Sequence, residues 1–416
     1  MKGRSPIRAI YREDFKLDVN KAETMQCSGI KALNGRLQSL RAFKPLSVIR
    51  NFTRFANTTS QGLFLCTPVT MCLYNGGGDP ALIHRAAKQI KDLSSAVYRD
   101  TLYVCYDAAG FWKITADNAQ VMDRGSFTDI TAANERVVLL EKNGARLWIS
   151  SAGGDNLYVD EDNMIYADLP TPCQAVKAVG RNVIYALGDV CYKIVLSYDF
   201  GKVSITPVAY NLGTVYRDTA LILNDSLIFA ASSGFYSIKN GRIAKIFQNI
   251  GTKALDFANS KARIAEGHYI LVAPCGSVHK AYAFDVDKQT CIAVLDGNNT
   301  DVYYWRGKLY GIGNDMYFNG VADEYANAVF VRSGLDFGSG CVKHLRKVML
   351  TSKSDIALSV YNGKHIVTKL IRGNVNPQVI PLMCCGRIFD IKIESANCAM
   401  DVSDFSIEAE IYREER

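Results

Sequence analysis

The sequence predicts an all-β protein: a six- or seven-bladed β-propeller with a C-terminal β-sandwich domain and a basic N-terminal arm. Three observations predict this. Strand-like hairpins recur with a period of about 40 residues, which is the length of a four-stranded blade. Helical periodicity is almost absent from the same region. After Gly320 the repeat stops, and longer alternating runs such as "RIFDIKIES" take over, as in half-buried antiparallel strands.

Each hairpin consists of two short runs of β-branched and aromatic residues joined by Gly, Asn or Asp, which accept the backbone conformations of tight turns. The first runs are Arg99–Tyr106, Asn134–Glu141, Gly180–Leu187, Asn224–Ala231, Glu266–Ala273 and Arg306–Gly313. The second runs carry the aromatic markers Trp112, Trp148, Tyr192, Tyr236, Tyr282 and Tyr317. A hairpin at Gly62–Gly76, with Tyr74, extends the series backward and would raise the blade number from six to seven.

These patterns place the domain boundaries. Residues 1–60 are predicted to be the basic arm and the lead-in to the first blade, 61–325 the propeller, and 326–416 the sandwich. If the propeller closes, the hairpins at Tyr74 and Tyr317 lie side by side. One helix is predicted, at Asp79–Leu93, because it opens with Asp-Pro and spaces its apolar residues by three and four. The alternative to a propeller is a set of unrelated hairpins in two sandwiches.

Positive charge is concentrated at the amino terminus. The chain carries a net charge of +7, and residues 1–50 contain eleven Lys or Arg against four acidic residues, which is +7 for this segment alone. Such an arm favours contact with an acidic partner or a nucleic acid backbone, although a solvated arm explains it equally well. The candidate contact residues are Lys2, Arg4, Arg8, Arg12, Arg36, Arg41, Lys44 and Arg50.

The twelve cysteines favour buried thiols over disulfides or metal ligands. Cys66, Cys72, Cys105, Cys191, Cys275 and Cys291 lie in or beside apolar runs, where a thiol behaves as a small hydrophobic group. No CxxC spacing occurs. The amino terminus lacks the apolar core of a signal peptide, and no apolar run is long enough to span a membrane, so we expect synthesis in a cytoplasm.

No catalytic motif is present. The five histidines have no metal-binding spacing, and there is no phosphate-binding loop or nucleophile elbow. We therefore expect no enzyme activity, no metal and no cofactor.

The two ends of the chain resemble a known protein family. "CSGIKALNGRLQSLRAFKPL" (Cys27–Leu46), a basic segment with a Gly-containing turn before short strands, and the closing "GRIFDIKIESANCAMDVSDFSIEAEIYREE" (Gly386–Glu415) are similar to propeller-type tail proteins of tailed bacteriophages. The resemblance implies a virion structural protein in a nozzle or stabilising ring of the tail. Other tail or portal-region proteins, further copies of the chain and phage DNA would be its partners, and it would be assembled in the host cytoplasm.

Two rivals to this role remain open. A receptor- or carbohydrate-binding propeller would use exposed aromatic residues such as Tyr303, Tyr304 and Trp305 as a platform, although these residues more often pack between blades. A propeller glycoside hydrolase would need paired carboxylates in the central channel.

Overall fold

The computed structural model describes residues 6–412 except 18–25, 48, 107–109, 134, 152, 154–156, 161, 181–182, 197–201, 249–254, 296, 314–316 and 396–397. This part of the chain is almost entirely β-strand. A 3₁₀ turn lies at Phe257–Asn259. Among these residues no helix is long and apolar enough to cross a membrane.

The strands are numbered β1 to β38 in chain order. The first four are β1 (Ile7–Arg12), β2 (Ile30–Leu33), β3 (Arg36–Ser39) and β4 (Arg41–Pro45). Five groups of four follow: β5 (Arg54–Thr59), β6 (Gly62–Cys66), β7 (Thr70–Tyr74), β8 (Ala81–Arg85); β9 (Ser94–Tyr98), β10 (Thr101–Tyr106), β11 (Gly110–Ile114), β12 (Ala119–Asp123); β13 (Phe127–Ala133), β14 (Arg136–Glu141), β15 (Arg146–Ser150), β16 (Met164–Asp168); β17 (Cys173–Val179), β18 (Val183–Gly188), β19 (Cys191–Leu196), β20 (Val203–Ala209); β21 (Val215–Leu223), β22 (Ser226–Ala231), β23 (Gly234–Lys239) and β24 (Arg242–Ile246).

The remaining strands are β25 (Lys261–Ala265), β26 (His268–Cys275), β27 (Val278–Asp285), β28 (Thr290–Val294), β29 (Asp301–Trp305), β30 (Lys308–Ile312), β31 (Phe318–Tyr325), β32 (Ala328–Leu335), β33 (Val342–Ser352), β34 (Ile356–Tyr361), β35 (Ile366–Ile371), β36 (Asn374–Gly386), β37 (Phe389–Ser395) and β38 (Asp401–Tyr412).

The chain divides into two compact units. The larger consists of Pro45–His279 and Asn298–Gly320, and the smaller of Met1–Lys44, Lys280–Gly297 and Val321–Arg416. These limits differ from the predicted boundaries at residues 60 and 325.

The larger unit contains five antiparallel four-stranded sheets in sequence order, β5–β8, β9–β12, β13–β16, β17–β20 and β21–β24. The predicted hairpins are the two middle strands of such sheets, for example β10–β11 and β22–β23. These middle strands are the most buried, because both faces of each sheet are covered by the neighbouring sheets.

The first and last hairpins of the larger unit pack against each other, as the sequence predicted. The ring centroids of Tyr74 on β7 and Phe318 at the start of β31 lie 4.8 Å apart, and both side chains are buried. Phe52 and Phe55 complete this contact. The amide of Leu46 donates to the carbonyl oxygen of Phe318 over 2.9 Å, so the segment before β5 lies along the edge of β31.

The predicted helix at Asp79–Leu93 is wrong. Residues Ala81–Arg85 form β8, which pairs with β7 and completes the first sheet. Ala86, Ile90 and Leu93 are buried, as the periodicity suggested, but in a loop held by hydrogen bonds to the carbonyls of Val69 and Pro68. Pairing with an existing strand therefore overrides a helical preference that is only local.

In the smaller unit, one sheet places β27, β28, β2, β3, β38, β33 and β36 side by side in this order, and a second sheet has the order β32, β37, β34, β35. The predicted alternation is confirmed: Phe389, Ile391 and Ile393 on β37 are buried, and their neighbours along the strand are more exposed.

Part of the predicted N-terminal arm belongs to the sheet that contains β38. Ile7–Arg12 pairs with β38 in the register Ile7↔Ile411, so this segment is not an arm. Glu13, which follows β1, is buried and receives two hydrogen bonds from Arg332 on β32, of 2.8 and 2.7 Å. Charge composition alone could not show this pairing. The basic residues of β1 lie on a strand that is held to β38 by backbone hydrogen bonds, and these do not depend on side-chain charge.

The prediction of buried thiols is confirmed for Cys66, Cys72, Cys105, Cys191 and Cys291, while Cys275 is half-buried. Burial raises the pKa of the Cys66 thiol to about 12, and that of Cys105 likewise to about 12. Such thiols stay protonated at neutral pH. Within the described part of the chain, no group of three or more His, Cys, Asp or Glu residues could hold a metal ion.

Candidate functional site: a polar channel in a ring of strands

The first strands of successive sheets in the larger unit surround a cavity. In the described part of this unit, β5, β9, β13, β17, β21, β25 and β29 each lie beside the next, and β29 lies beside β5. These seven strands therefore form a closed ring. The cavity inside has a volume of about 630 Å³ and is lined by residues of all seven strands.

An ion pair crosses this channel. Arg54 on β5 and Asp218 on β21 lie on strands that are not neighbours in the ring, and a guanidinium nitrogen of Arg54 approaches Oδ2 of Asp218 to 3.1 Å. Arg217 pairs with the other carboxylate oxygen of Asp218 at 2.9 Å. It also donates over 2.6 Å to the carbonyl oxygen of Thr128 on β13, which is two strands away in the ring. The arrangement blocks part of the channel with charged side chains.

A second carboxylate, Asp129, ties three consecutive strands together at the wall. Lying on β13, it accepts hydrogen bonds from the Ser94 hydroxyl on β9, from the Val176 amide over 2.8 Å and from the Lys177 ammonium over 2.7 Å, both on β17. Its side chain is fully buried. A buried carboxylate satisfied in this way fixes the relative positions of the strands.

Asp301 on β29 plays the same part where the ring closes. It receives two hydrogen bonds from Arg263 on β25, of 3.0 and 2.7 Å, in the paired geometry that makes Arg–carboxylate contacts strong. The amide of Phe55 on β5 donates to it over 2.9 Å. This carboxylate therefore joins the last two strands of the ring to the first.

Positive charge exceeds negative charge in the channel. Four cations and two carboxylates line the cavity, which gives a net charge of +2: Arg54, Lys177, Arg217, Arg263, Asp129 and Asp218. The adjacent Lys261 and Asp301 have opposite charges and leave this net charge unchanged. Burial would by itself raise the pKa of Asp218, but Arg54 and Arg217 outweigh it and hold that pKa below its usual range. Burial lowers the pKa of Lys261, which donates to the carbonyl oxygens of Thr53 and Thr300.

Arg54 has unused hydrogen-bonding capacity. Its Nε is buried and has no hydrogen-bond partner among the described residues. An uncompensated buried donor on a cation is costly unless a ligand or water satisfies it. Arg54 therefore brings a positive charge and one unsatisfied buried donor to the lining of the cavity.

The predicted aromatic platform is not a surface feature. Tyr303 and Tyr304 are half-buried and line the channel, and the Tyr303 hydroxyl donates to Oδ1 of Asn57 over 3.0 Å. Trp305 is only 8% exposed and packs against Tyr74 and Tyr310. Tyr303 and Trp305 lie on the same face of β29 and pack in one apolar cluster, where an aromatic residue buries the most surface.

The predicted basic contact residues have mostly found partners within the chain. Lys2 and Arg4 lie outside the described residues, and Arg12 is exposed on β1. The other contacts are Arg8 with Glu408 (3.8 Å), Arg36 with Asp401, Arg41 over the ring of Tyr325 (4.1 Å), Lys44 with Glu324 (2.6 Å) and Arg50 over the ring of Tyr317 (5.0 Å).

The sequence did not single out the channel residues. Arg54, Asp129, Asp218 and Asp301 each lie on the first strand of a sheet, before the hairpin that the repeat made visible. The signal that could have found them is a charged residue recurring upstream of successive hairpins.

Neither a protein-family model nor a curated protein sequence matches this chain. Solved structures do. BamB from Moraxella catarrhalis matches with a TM-score of 0.44 and 11% identity over 67% of this chain and 99% of that one. The β-propeller domain of Myceliophteria thermophila Cps50 (Swd1) matches with a TM-score of 0.48 and 10% identity, over the same shares.

The extracellular domain of the putative one component system BT4673 from B. thetaiotaomicron has a TM-score of 0.47 and 10% identity, covering 83% of this chain and 48% of that one. All three TM-scores are below 0.5. The larger unit is a β-propeller by its own four-stranded sheets and by the closed ring of their first strands.

Proposed function

We propose that this protein is a non-catalytic binding protein, a seven-bladed β-propeller joined to a β-sandwich, whose channel binds a small anionic ligand. The closed ring of seven first strands supports the blade number. Two sheets with alternating buried residues on β34, β37 and β38 support the sandwich. The proposal of an anionic ligand is supported by the excess of two positive charges around the unpartnered Nε of Arg54.

Binding is favoured over catalysis by the state of the carboxylates. Asp129, Asp218 and Asp301 are each paired with a cation at 3.1 Å or less. A glycoside hydrolase needs one carboxyl group with a raised pKa. The channel offers the opposite: the pKa of Asp218 is lowered.

Calorimetric titration tests the ligand. We expect inorganic phosphate or citrate to bind the wild-type chain, and Arg54→Gln to weaken binding about 10- to 150-fold, since a hydrogen bond to a charged group contributes about 1.5–3 kcal/mol. Arg242→Gln is the matched control, because Arg242 is exposed on the outer strand β24. Equal affinity of the wild type and Arg54→Gln, or no binding of either anion, would refute the proposal.

A place in a bacteriophage tail stays a separate prediction from the sequence resemblance. Four of the basic residues expected to contact neighbours or DNA, Arg8, Arg36, Arg41 and Lys44, have partners within the chain, so a tail role would depend on other surfaces. Mass spectrometry of purified particles tests it: the chain should be present at a fixed ratio to a known tail protein, and its absence from particles would contradict the role.

A further inference from the structure

The smaller unit carries an uncharged apolar strip on β36. Along this strand, alternate side chains face outward: Val375, Pro377, Val379, Pro381, Met383 and Cys385, which we name the β36 strip. Val375 is 73% exposed, Val379 61% and Met383 86%. The intervening Leu382 and Cys384 are buried. Towards the carboxyl end of the strand one face is therefore buried, whereas the face that carries the strip is exposed along its whole length.

β36 is also the last strand of its sheet. Within the described residues it pairs with β33 on one side and with no strand on the other. Exposed edge strands are usually protected by charged side chains, especially Lys. From Asn374 to Gly386 the strand contains no charged residue at all.

The two prolines indicate how a partner would bind. Pro377 and Pro381 have no amide hydrogen, so an added strand would lack hydrogen-bond donors at two positions. A partner that pairs with the edge is therefore disfavoured. Packing of another apolar face onto the strip needs no backbone donors and is unaffected.

Charges beside the strip are of both signs. Lys347 lies directly across from Pro381 in the strand register, and it pairs with Glu408 at 3.0 Å. Arg8 approaches the same carboxylate to 3.8 Å. In a two-fold dimer the same surface of each copy contacts the other copy, so the uncharged strip faces an uncharged strip. The charged residues beside it, Lys347, Glu408 and Arg8, include both signs, so carboxylates of one copy can pair with cations of the other.

The area suits such a dimer. Burying a Val or Met side chain contributes about 1.5–3 kcal/mol at about 25 cal/mol per Å², or about 60–120 Å² each. Six side chains at this scale give about 360–720 Å², against about 800 Å² per partner in a standard interface. The charged residues beside the strip, Lys347 and Glu408 included, form the polar rim that supplies the remaining interface area.

We infer that the β36 strip is the interface at which two copies of this chain form a two-fold dimer. Light scattering after size-exclusion chromatography should give twice the mass of one chain for the wild type. The double variant Val379→Lys and Met383→Lys should give the mass of one chain, because it places like charges opposite each other in a desolvated surface. Leu82→Lys, at a residue 55% exposed on β8, is the control and should leave the dimer intact.

A second measurement needs no variant that could fail to fold. Cys385 lies on the strip and Cys398 is exposed outside it, so alkylation of the wild type followed by peptide mass spectrometry compares the two thiols. Raising the protein concentration should slow alkylation of Cys385 and leave that of Cys398 unchanged. A monomeric wild type, a dimer that persists in the Lys variant, or equal alkylation of Cys385 and Cys398 in an associated protein would each overturn the inference.

Discussion

Replacing Phe318 with Ala should destabilise the larger unit strongly, because this side chain joins its last hairpin to its first. Phe318 is fully buried, 4.8 Å from the ring centroid of Tyr74 and 5.5 Å from that of Tyr310. Truncation of a buried Phe costs about 3–5 kcal/mol. Urea unfolding followed by intrinsic fluorescence measures the loss, and Tyr210→Ala, at a residue 63% exposed, should change stability by no more than about 0.5 kcal/mol.

A double-mutant cycle isolates the contact that closes the ring. Combining Phe318→Leu with Tyr74→Leu should reveal a coupling free energy of about 0.5–1.5 kcal/mol, the contribution of an aromatic pair beyond its buried area. A loss below about 1 kcal/mol for Phe318→Ala, well under the range expected for a buried Phe, would refute the packing described here. A coupling near zero would show that the two hairpins do not touch.

Three further results are expected. Asp301→Asn should lower the free energy of unfolding by about 3–5 kcal/mol in urea titrations, because it leaves Arg263 buried without its carboxylate. The pKa of Asp218 is lower in the folded chain than in the unfolded one, so its stabilising contribution is present above about pH 4 and is lost as the pH falls further. Thermal melts at decreasing pH should show this loss of stability, and the loss should be smaller in Asp218→Asn. With a pKa raised to about 12, Cys105 should not react with a thiol reagent at pH 8 until the chain unfolds.

The middle strands of the sheets could be predicted from the sequence because they are buried on both faces. Runs such as those of β14 and β22 consist of six residues, mostly apolar, between turn residues, which is a pattern typical of buried strands. The first strand of each sheet faces a polar channel, and the fourth is partly exposed, as in β8 and β12. Their mixed composition lacks the alternation of a half-buried strand. At β8 and the loop that follows it, apolar residues spaced by three and four predicted a helix instead.

The channel could not be predicted because its chemistry exists only after the ring closes. Arg54 and Asp218 are 164 residues apart in the chain and form no motif. Tyr303 and Trp305 were recognised as aromatic candidates, but their burial is decided by the neighbouring sheets. Similarly, the charge of residues 1–50 suggested an arm, whereas the pairing of β1 with β38 depends on residues at the far end of the chain.

Binding of an anion at Arg54, in the channel of the larger unit, can be tested with a crystal soaked in selenate. An anomalous difference peak is expected inside the ring within hydrogen-bonding distance of the Arg54 guanidinium, and it should be lost in crystals of Arg54→Gln. An empty channel in wild-type crystals that bind selenate elsewhere, or an undiminished peak in Arg54→Gln, would contradict it.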